Sequence, residues 1–283
     1  MSEIIAVANQ KGGVGKTTTS VNLAAAFAAL DKRVLLVDMD AQGNATMGVG
    51  LDKRTLGATV CDFLLGEKSV AEALELALDG RLYVLGANGD MTAAEVGLRD
   101  LPDGRRALAN ALSSIASSFD YVIIDCPPAL SMLTINALVA ARGIIVPMQC
   151  EYYALEGLSA LLETIEHVRR NLNPKLHIEG VLRTLYDPRS RLTHDVSDQL
   201  ADYFDDSLYQ AVIPRNVRLA EAPSHGVSVL EYDSASSGAK AYRALAREIL
   251  GRDDDDAVFG PTRGARRAAS AVFGRRRRGA RGR

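Results

Sequence analysis

The sequence is poor in cysteine, and it lacks the long apolar runs that membrane-spanning helices need. Its three cysteines, Cys61, Cys126 and Cys150, have neither the paired spacing of a metal cage nor the even number of a disulfide framework. No stretch reaches about 18 uninterrupted apolar residues, and no basic segment followed by an apolar run and a cleavage site opens the chain. These absences predict a protein of the reducing cytosol that is neither exported nor inserted in a membrane.

The end of the chain contains no lysine and no acidic residue after Asp256, yet it carries nine arginines. Because the whole chain has a formal net charge of −2, removing those nine positive charges leaves −11 for residues 1–256. The composition also changes past Leu250, where the acidic run Asp253–Asp256 is followed mainly by Gly, Ala, Arg and Ser. We therefore predict one folded domain over residues 1–250 and a disordered arginine-rich tail over 251–283 that is drawn to polyanions.

Short apolar segments alternate along the chain with longer segments of helical periodicity. The predicted strands are 4–8, 34–37, 82–85, 121–124, 144–148, 178–182 and 211–213. The predicted helices are 17–30, 104–117, 131–141, 155–171, 193–204 and 237–250. Strands that alternate with helices form a mostly parallel sheet between two layers of helices. The sequence therefore predicts an α/β fold with a mostly parallel, twisted sheet and helices on both faces.

A glycine-rich segment lies between the first predicted strand and the first predicted helix. Residues 10–18 read Gln-Lys-Gly-Gly-Val-Gly-Lys-Thr-Thr, a variant of the pattern Gly-x-x-x-x-Gly-Lys-Thr in which Gln10 replaces the first glycine. The glycines, Gly12, Gly13 and Gly15, allow backbone N–H groups to converge on a phosphate at a helix N-terminus. The flanking strand and helix favour this interpretation over a glycine-rich turn with an accidental Lys-Thr.

The polar residues of this segment suit a nucleotide and its metal ion. Lys16 can reach the terminal phosphates, and the Thr17 hydroxyl can ligate Mg²⁺. Lys11 is so close to the start of the loop that it can hardly fold back onto its own nucleotide, and it is better placed to reach one held by a second copy. The residues predicted to bind the nucleotide here are Lys11, Gly12, Gly13, Val14, Gly15, Lys16, Thr17 and Thr18.

This segment resembles the phosphate loop of the ParA/MinD deviant Walker ATPases, whose motif Lys-Gly-Gly-x-Gly-Lys-Thr is matched at Lys11–Thr17 without exception. Residues 37–44 resemble the switch I of that family, although Ala41 stands where a proline is usual. Residues 122–128 resemble its Walker B strand and switch II, and residues 213–226 are close to the signature of chromosomal ParA (Soj) proteins. The matches run from residue 3 to about 250, and they imply a P-loop NTPase fold of the deviant Walker A type.

The resemblance gives roles to three carboxylates near the ends of predicted strands. Asp40 matches the residue that positions the attacking water, and with Lys11 and Lys16 it makes up the expected catalytic set. Asp125 ends an apolar strand, which puts its carboxylate near the Mg²⁺ of the β- and γ-phosphates. Asp38 supports either the loop or the waters of the metal. The alternative for each is a helix cap or a turn residue, which is common for Asp after a strand.

The resemblance also implies contacts with adenine and with DNA. Pro214 and Asn216 match positions that hold the adenine, where the Asn amide can donate to and accept from the base edge, and the alternative is an ordinary turn. Arg189 and Arg218 match surface residues that contribute to DNA binding in Soj-like dimers, and a solvated charge is the alternative for each.

Two further arginines and one histidine lie near these positions in the sequence. Arg183 and Arg191 could extend the basic patch around Arg189. His225 lies in a Ser-His-Gly loop near the expected nucleotide, but ATP hydrolysis in this family needs no histidine base, so we assign it no catalytic role.

The function implied by the resemblance is a Mg²⁺-dependent, chromosome-partitioning ATPase that converts ATP and water to ADP and phosphate. ATP would bridge two subunits through Lys11, and the dimer would bind DNA nonspecifically on the nucleoid. Hydrolysis stimulated by a ParB-like, centromere-binding partner would then release it. We expect a cytoplasmic, nucleoid-associated protein without stable membrane association.

Two alternatives use the same fold. A MinD-like membrane-positioning ATPase needs a C-terminal amphipathic helix, and the tail has few bulky apolar residues among its many Gly and Arg. An iron–sulfur electron-transfer ATPase needs two well-placed cluster cysteines per subunit, a pattern that Cys126 and Cys150 do not match.

Overall fold

A single twisted sheet forms the centre of the protein. The computed structural model describes residues 2–152 and 158–259, with the side chains of 253–259 excepted. In this part of the chain the sheet has eight strands in the order β3-β4-β2-β5-β1-β6-β7-β8. The strands are β1 (Glu3–Val7), β2 (Val34–Asp38), β3 (Leu74–Ala77), β4 (Leu82–Leu85), β5 (Tyr121–Asp125), β6 (Gly143–Gln149), β7 (His177–Tyr186) and β8 (Leu208–Pro214). All neighbours are parallel except β3 and β4, which confirms the mostly parallel sheet.

The helices connect these strands and vary widely in length. They are α1 (Lys16–Ala28), α2 (Asn44–Gly48), α3 (Val60–Leu65), α4 (Val70–Ala73), α5 (Met91–Asp100), α6 (Ala107–Ser113), α7 (Met132–Ala140), α8 (Ser159–Asn171), α9 (Arg191–Phe204), α10 (Val217–Glu221), α11 (Val229–Tyr232) and α12 (Ser237–Phe259). Within the described residues, no helix combines the length and the apolar character needed to cross a membrane.

Apolar side chains pack on both faces of the sheet. Successive residues of a strand alternate between the faces, so that Leu35 and Val37 of β2 join one core while Leu36 joins the other. The first core is covered by α3 and α5 to α9, and the second by α1, α2 and α10 to α12. The predicted covering of both faces by helices is therefore confirmed.

All seven predicted strands are present, and β3 is an additional strand that the sequence pattern did not predict. A capping box begins α4, in which the Glu72 carboxylate accepts from the backbone N–H and the hydroxyl of Ser69. The chain then becomes extended at Leu74, and β3 turns back into β4 through three residues with positive φ, at 78–80. Strand β3 is only four residues long and follows α4 without a connecting loop. The sequence therefore contains no break that would mark the strand.

The predicted helices correspond to observed ones, and two of them differ in their bounds by more than a few residues. The helix predicted over 104–117 is shorter, because α6 is flanked by 3-10 turns at Gly104–Arg106 and Ala116–Ser118. The helix predicted to end at 250 continues to Phe259, so its backbone includes the acidic run of the predicted tail. The other tail residues, 260–283, lie outside the described residues, as do 153–157 at the start of the helix predicted from 155.

Candidate functional site

The candidate site lies where β1, β2 and β5 end at the same edge of the sheet. Strand β5 lies between the other two, and Asp125 is paired in register with Val7 of β1 and with Asp38 of β2. The loops that leave these three strands therefore begin side by side. Parallel sheets bind their ligands at this carboxyl edge.

The loop from β1 to α1 has the backbone conformation that its glycines permit. Gly13 and Gly15 have φ angles of 75° and 85°, in the left-handed region that disfavours other residues. Gly15 is also the N-cap of α1, and no side chain caps this helix end. The first N–H groups of a 13-residue helix thus face the loop without a side-chain acceptor, which is the arrangement that binds phosphate.

Lys16 lies in the first turn of α1 and reaches back to the start of the same loop. Its Nζ donates to the carbonyl oxygen of Lys11 at 3.1 Å, and the residue is only 8% exposed. Burial lowers the pKa of this ammonium, and the negative charge of Asp125 opposes that shift. Lys16 therefore holds a buried positive charge within the loop.

Lys11 has a different partner. Its Nζ lies 2.5 Å from Oε2 of Glu151, in the segment that follows β6, and its side chain remains 41% exposed. The ammonium of Lys11 is thus held by a carboxylate of its own chain at the protein surface. The two lysines therefore have different environments: Lys16 is buried in the loop, and Lys11 is partly exposed at the surface.

Asp125 is fully buried at the end of β5. Its Oδ1 accepts a hydrogen bond from the Ser20 hydroxyl at 2.8 Å, whereas Oδ2 has no hydrogen-bond partner among the described residues. Burial, reinforced by the charge of Asp38, raises the pKa of Asp125, and the hydroxyls of Ser20 and Thr17 oppose the shift. A buried carboxylate oxygen without a partner suits a cation or a water bound to one.

Asp38 is also buried, but its hydrogen bonds are directed to the loop that follows β2. Its Oδ2 accepts from the backbone N–H and the hydroxyl of Thr46 at 2.9 and 2.8 Å, and its Oδ1 accepts from the backbone N–H of Asp40 at 3.1 Å. Burial raises the pKa of Asp38 against these hydrogen bonds. Of the two roles left open by the sequence, this geometry favours loop support.

Asp40 lies two positions beyond β2 and is half-buried. Its Oδ1 accepts from the backbone N–H of Gln42 at 2.9 Å. Its charge raises the pKa of both Lys16 and Asp125. Strand β2 ends beside β5 at the edge of the sheet that carries the phosphate loop, so Asp40 lies at this edge. Ala41, which replaces the usual proline, packs against the first core. The expected role of Asp40 in positioning water stays a prediction.

The residues around the loop fit a magnesium ion held largely through water. The Thr17 hydroxyl lowers the pKa of Asp125, whose Oδ2 lacks a partner in the described part of the chain. That part contains no group of three or more His, Cys, Asp or Glu side chains arranged to hold a metal. Mg²⁺ typically keeps several waters and takes phosphate oxygens as ligands, so Thr17 and phosphate suffice as direct ligands.

Two residues that the sequence pattern does not single out hold the phosphate loop against the neighbouring strands. Asn9 accepts from the backbone N–H of Lys11 at 3.0 Å and donates to the carbonyl oxygen of Pro147 in β6 at 2.7 Å. The Thr184 hydroxyl in β7 donates to the carbonyl oxygen of Val14 at 2.8 Å. These contacts join the loop to β6 and β7, which are far from it in the sequence. The spacing of residues within the loop therefore could not predict them.

Asn216, a predicted adenine contact, acts here as the N-cap of α10. Its Oδ1 accepts from the backbone N–H of Arg218 at 2.8 Å, and its Nδ2 donates to the Ser237 hydroxyl at 2.6 Å. Pro214, the other predicted contact, is the last residue of β8. The adenine contacts of both residues stay predictions.

A cleft of about 380 Å³ opens beside the first turn of α1. Thr17 and Thr18 line one side of it, α2 lines another, and the segment that contains Pro223 lines a third. This volume lies within the usual range of small-ligand pockets.

The predicted DNA contacts lie after β7 and β8. Arg189 is paired with Asp187, and Arg218 is paired with Glu221. Arg191 is exposed at the start of α9.

Arg183 does not extend the patch around Arg189. Its guanidinium donates to the Ser197 hydroxyl at 2.9 Å and to the carbonyl oxygen of Tyr209 at 2.8 Å, because its position on β7 directs it to neighbouring elements. These internal contacts favour a structural role for Arg183 over the possible extension of the patch.

The three cysteines are buried, and His225 packs against an aromatic ring. Cys61, Cys126 and Cys150 are buried, and burial raises the pKa of each thiol, to about 11 for Cys61. The ring of His225 stacks on Tyr232 with 4.9 Å between centroids.

Similarity to known proteins agrees with this geometry. A family model described as an AAA domain matches residues 2–178. The sporulation initiation inhibitor protein Soj of Bacillus subtilis is 49% identical over 249 residues, which cover 88% of this chain and 98% of that protein. The chromosome partitioning protein ParA of Myxococcus xanthus is 46% identical over 253 residues, which cover 89% of each chain.

Solved structures share the fold. Cobyrinic acid a,c-diamide synthase of Mycobacterium smegmatis, with a bound ATP analogue and magnesium, has a TM-score of 0.79 at 38% identity and covers 93% of this chain and 99% of that chain. The cell division ATPase MinD of Pyrococcus furiosus has a TM-score of 0.73 at 26% identity and covers 89% of this chain and 99% of that chain.

Proposed function

The chain belongs to the ParA/Soj family of chromosome-partitioning ATPases, and from this membership we propose that it is an ATP-driven switch that partitions DNA. In this proposal ATP and Mg²⁺ bind at the phosphate loop and two subunits associate around the nucleotides. The dimer binds DNA nonspecifically on the nucleoid, and a ParB-like partner stimulates the hydrolysis that releases it.

The observation that carries the proposal is the phosphate loop with its buried charges. The left-handed glycines leave the α1 N-terminus uncapped by a side chain, Lys16 places a buried ammonium in the loop, and Asp125 leaves one buried oxygen without a partner in the described residues. The cleft beside Thr17 and Thr18 has the size of a small-ligand pocket, although neither Pro214 nor Asn216 lines it. Together these features support the binding of a nucleoside triphosphate with its metal.

Hydrolysis requires that a water be oriented and that negative charge be neutralised. When bound, Mg²⁺ neutralises charge on the phosphate oxygens. Lys16 adds a positive charge that needs no reorganisation, since it is already held in the loop. Asp40, beside this loop and half-buried, is the carboxylate that can meet a water from solvent and orient it.

In the proposed dimer, Lys11 contacts the nucleotide that is bound to the other subunit. The exposure of its side chain supports this assignment, since its ammonium already lies at the surface. The ion pair with Glu151 must open or rearrange when Lys11 takes a phosphate as partner. Exposed ion pairs stabilise proteins little, so this exchange has a small cost.

DNA binding is assigned to Arg189 and Arg218, which follow the carboxyl ends of neighbouring strands β7 and β8. The arginine-rich tail is a second, independent contact in this proposal, because closely spaced positive charges attract phosphates without base contacts. A MinD-like, membrane-positioning function is the alternative, supported by the structural likeness to MinD. Sedimentation with anionic liposomes, run beside a DNA mobility shift, separates the two.

The proposal is tested by size-exclusion chromatography with ADP, with ATP and with a slowly hydrolysed ATP analogue, each with and without nonspecific duplex DNA. We expect a monomer in ADP, a dimer in the analogue, and stable co-elution with DNA in the analogue but not in ADP. A dimer that forms equally in ADP, or a monomer in every nucleotide, would count against a nucleotide-driven switch.

A further inference from the structure

Both arginines of the proposed DNA surface are already paired with carboxylates of their own chain. Arg189 makes three hydrogen bonds to Asp187: its backbone N–H and its Nε each donate to Oδ1 at 3.0 Å, and Nη2 donates to Oδ2 at 3.0 Å. The Arg189 side chain is nevertheless 87% exposed. The guanidinium is thus bound by two carboxylate oxygens while it faces solvent.

Arg218 is held in a similar way. Its Nη1 donates to Oε2 of Glu221 at 2.8 Å, and its Nε lies 3.4 Å from Oδ2 of Asp233. The Tyr232 hydroxyl donates to the same Glu221 oxygen at 3.2 Å and so fixes that carboxylate. Half of the Arg218 side chain is exposed.

The two pairs belong to one edge of the sheet. The backbone N–H of Arg215 donates to the carbonyl oxygen of Tyr186 at 3.1 Å, which ties the start of the segment after β8 to the end of β7. Arg189 follows Tyr186 closely in the chain, and Arg218 follows Arg215. A polyanion that meets one pair at this edge therefore approaches the other.

Carboxylate and phosphate compete for the same arginine geometry. Each presents two oxygens that a guanidinium binds with parallel hydrogen bonds. An exposed ion pair is weak and screened by salt, so a phosphate can displace the carboxylate. The Arg189 guanidinium holds the pKa of Asp187 at about 2, so this carboxylate stays charged at neutral pH.

We propose that Asp187 and Glu221 are internal competitors of DNA phosphate, which occupy Arg189 and Arg218 until DNA displaces them and thereby limit the affinity of the protein for DNA. This inference rests on the proposed DNA-binding function and deepens it. It assigns two acidic residues a role that opposes binding, on a surface where positive charge promotes it.

The experiment uses the full chain with Asp187→Asn and, separately, Glu221→Gln. The amide oxygen that Asp187→Asn introduces can still accept from the Arg189 backbone N–H, so the turn is preserved while the charge is removed. With a slowly hydrolysed ATP analogue, we expect each variant to bind nonspecific duplex DNA about two- to fivefold more tightly, the range that exposed ion pairs contribute. The slope of log K against log salt should steepen by up to about 0.9 for Asp187→Asn, and by less for Glu221→Gln, because Asp233 still faces Arg218 in that variant.

A matched control exists elsewhere in the chain. Asp52 holds Arg54 with the same spacing and geometry, with Nε at 3.0 Å from Oδ1 and Nη2 at 3.1 Å from Oδ2, and the Arg54 side chain is 78% exposed. Asp52→Asn removes the same charge beside an arginine to which the proposal assigns no DNA contact, and it should leave DNA affinity nearly unchanged. In an Arg189→Ala background, the gain from Asp187→Asn should shrink, because no arginine is released.

Two outcomes would overturn the inference while the proposed function stands. One is DNA binding by Asp187→Asn that is unchanged or weaker, in which case the carboxylate does not compete with phosphate for Arg189. The other is an equal gain in Asp52→Asn. If the unmodified chain binds no DNA in any nucleotide state, the proposed function itself fails, and the inference fails with it.

Discussion

The three carboxylates beside the phosphate loop differ in what they can reach. Asp38 and Asp125 are fully buried, and their raised pKa values reflect that burial. Asp40 is half-buried and accepts one hydrogen bond from the backbone of the loop that carries it. Burial therefore divides these residues by role. Asp38 and Asp125 can shape the loop and the metal site, whereas Asp40 can form a hydrogen bond with a water from solvent.

Asp40→Ala should slow ATP hydrolysis by at least about tenfold while ATP binding persists, because the interaction of Asp40 with the water matters chiefly in the transition state. The variant should remain an ATP-bound dimer with lasting DNA binding. Turnover of ATP and the lifetime of the DNA complex measure both effects.

Asp40→Asn is the companion variant, since its side-chain oxygen can still accept from the Gln42 backbone N–H. It should show the same slow hydrolysis with the loop intact. If either variant hydrolysed ATP at the unmodified rate, Asp40 would have another role.

The contiguous part of the site could be predicted from the sequence, and the rest could not. Lys16 and Thr17 follow from a motif within one short segment, whose strand and helix are also present in the structure. Asn9 and Thr184 act through partners 138 and 170 positions away, and the Glu151 partner of Lys11 lies 140 positions away. Contacts of this kind depend on the order of strands in the sheet, which residue spacing does not encode.

At the scale of elements, the buried parallel strands were predictable because they are apolar runs between helices. The 3-10 turn before α6 was not predicted, and a close approach of two backbones lies at its start. A Cβ on Gly104 would lie 1.6 Å from the carbonyl oxygen of Leu98 in α5. The backbones of the two elements therefore touch at a place where only glycine fits, and the regular helix starts after it.

Gly104→Ala should consequently destabilise the fold, by roughly 1–3 kcal/mol or more, as expected for overpacking against backbone that cannot yield. Chemical denaturation of the nucleotide-free protein measures this decrease in the free energy of unfolding. Gly57→Ala is the control, because a Cβ at Gly57 meets nothing within 4 Å and its φ is not positive. Equal stability of the two variants would show that α5 and α6 can move apart at little cost.

At the scale of the whole molecule, charge is divided between an acidic body and a basic tail. Helix α12 extends to Phe259, so a truncation after that residue keeps the helix and removes all nine tail arginines. Deletion of 260–283 should leave ATP binding and dimerisation intact. It should also weaken DNA binding and lower the slope of log K against log salt by about 0.9 for each phosphate that the tail neutralises in the full-length protein.

Salt titrations of the full-length and truncated proteins, each in ADP and in ATP, measure this effect. ATP-dependent binding should survive truncation, because the tail has no means to respond to the nucleotide and the dimer surface does. Identical slopes would make the tail a solvated appendage. Disappearance of all ATP-dependent binding on truncation would remove Arg189 and Arg218 as its basis.

The central claim is that ATP shared between two subunits switches DNA binding on, with Lys16 acting in its own subunit and Lys11 in the other. The most direct measurement compares ATP binding and DNA binding of Lys16→Ala and Lys11→Ala, with the slowly hydrolysed analogue, against the unmodified chain. The account predicts that Lys16→Ala binds no nucleotide and shows no nucleotide-dependent DNA binding, whereas Lys11→Ala binds nucleotide as a monomer and binds DNA no better than the unmodified chain does in ADP. Equal loss of nucleotide binding in both variants, or ATP-dependent DNA binding by Lys11→Ala, would contradict it.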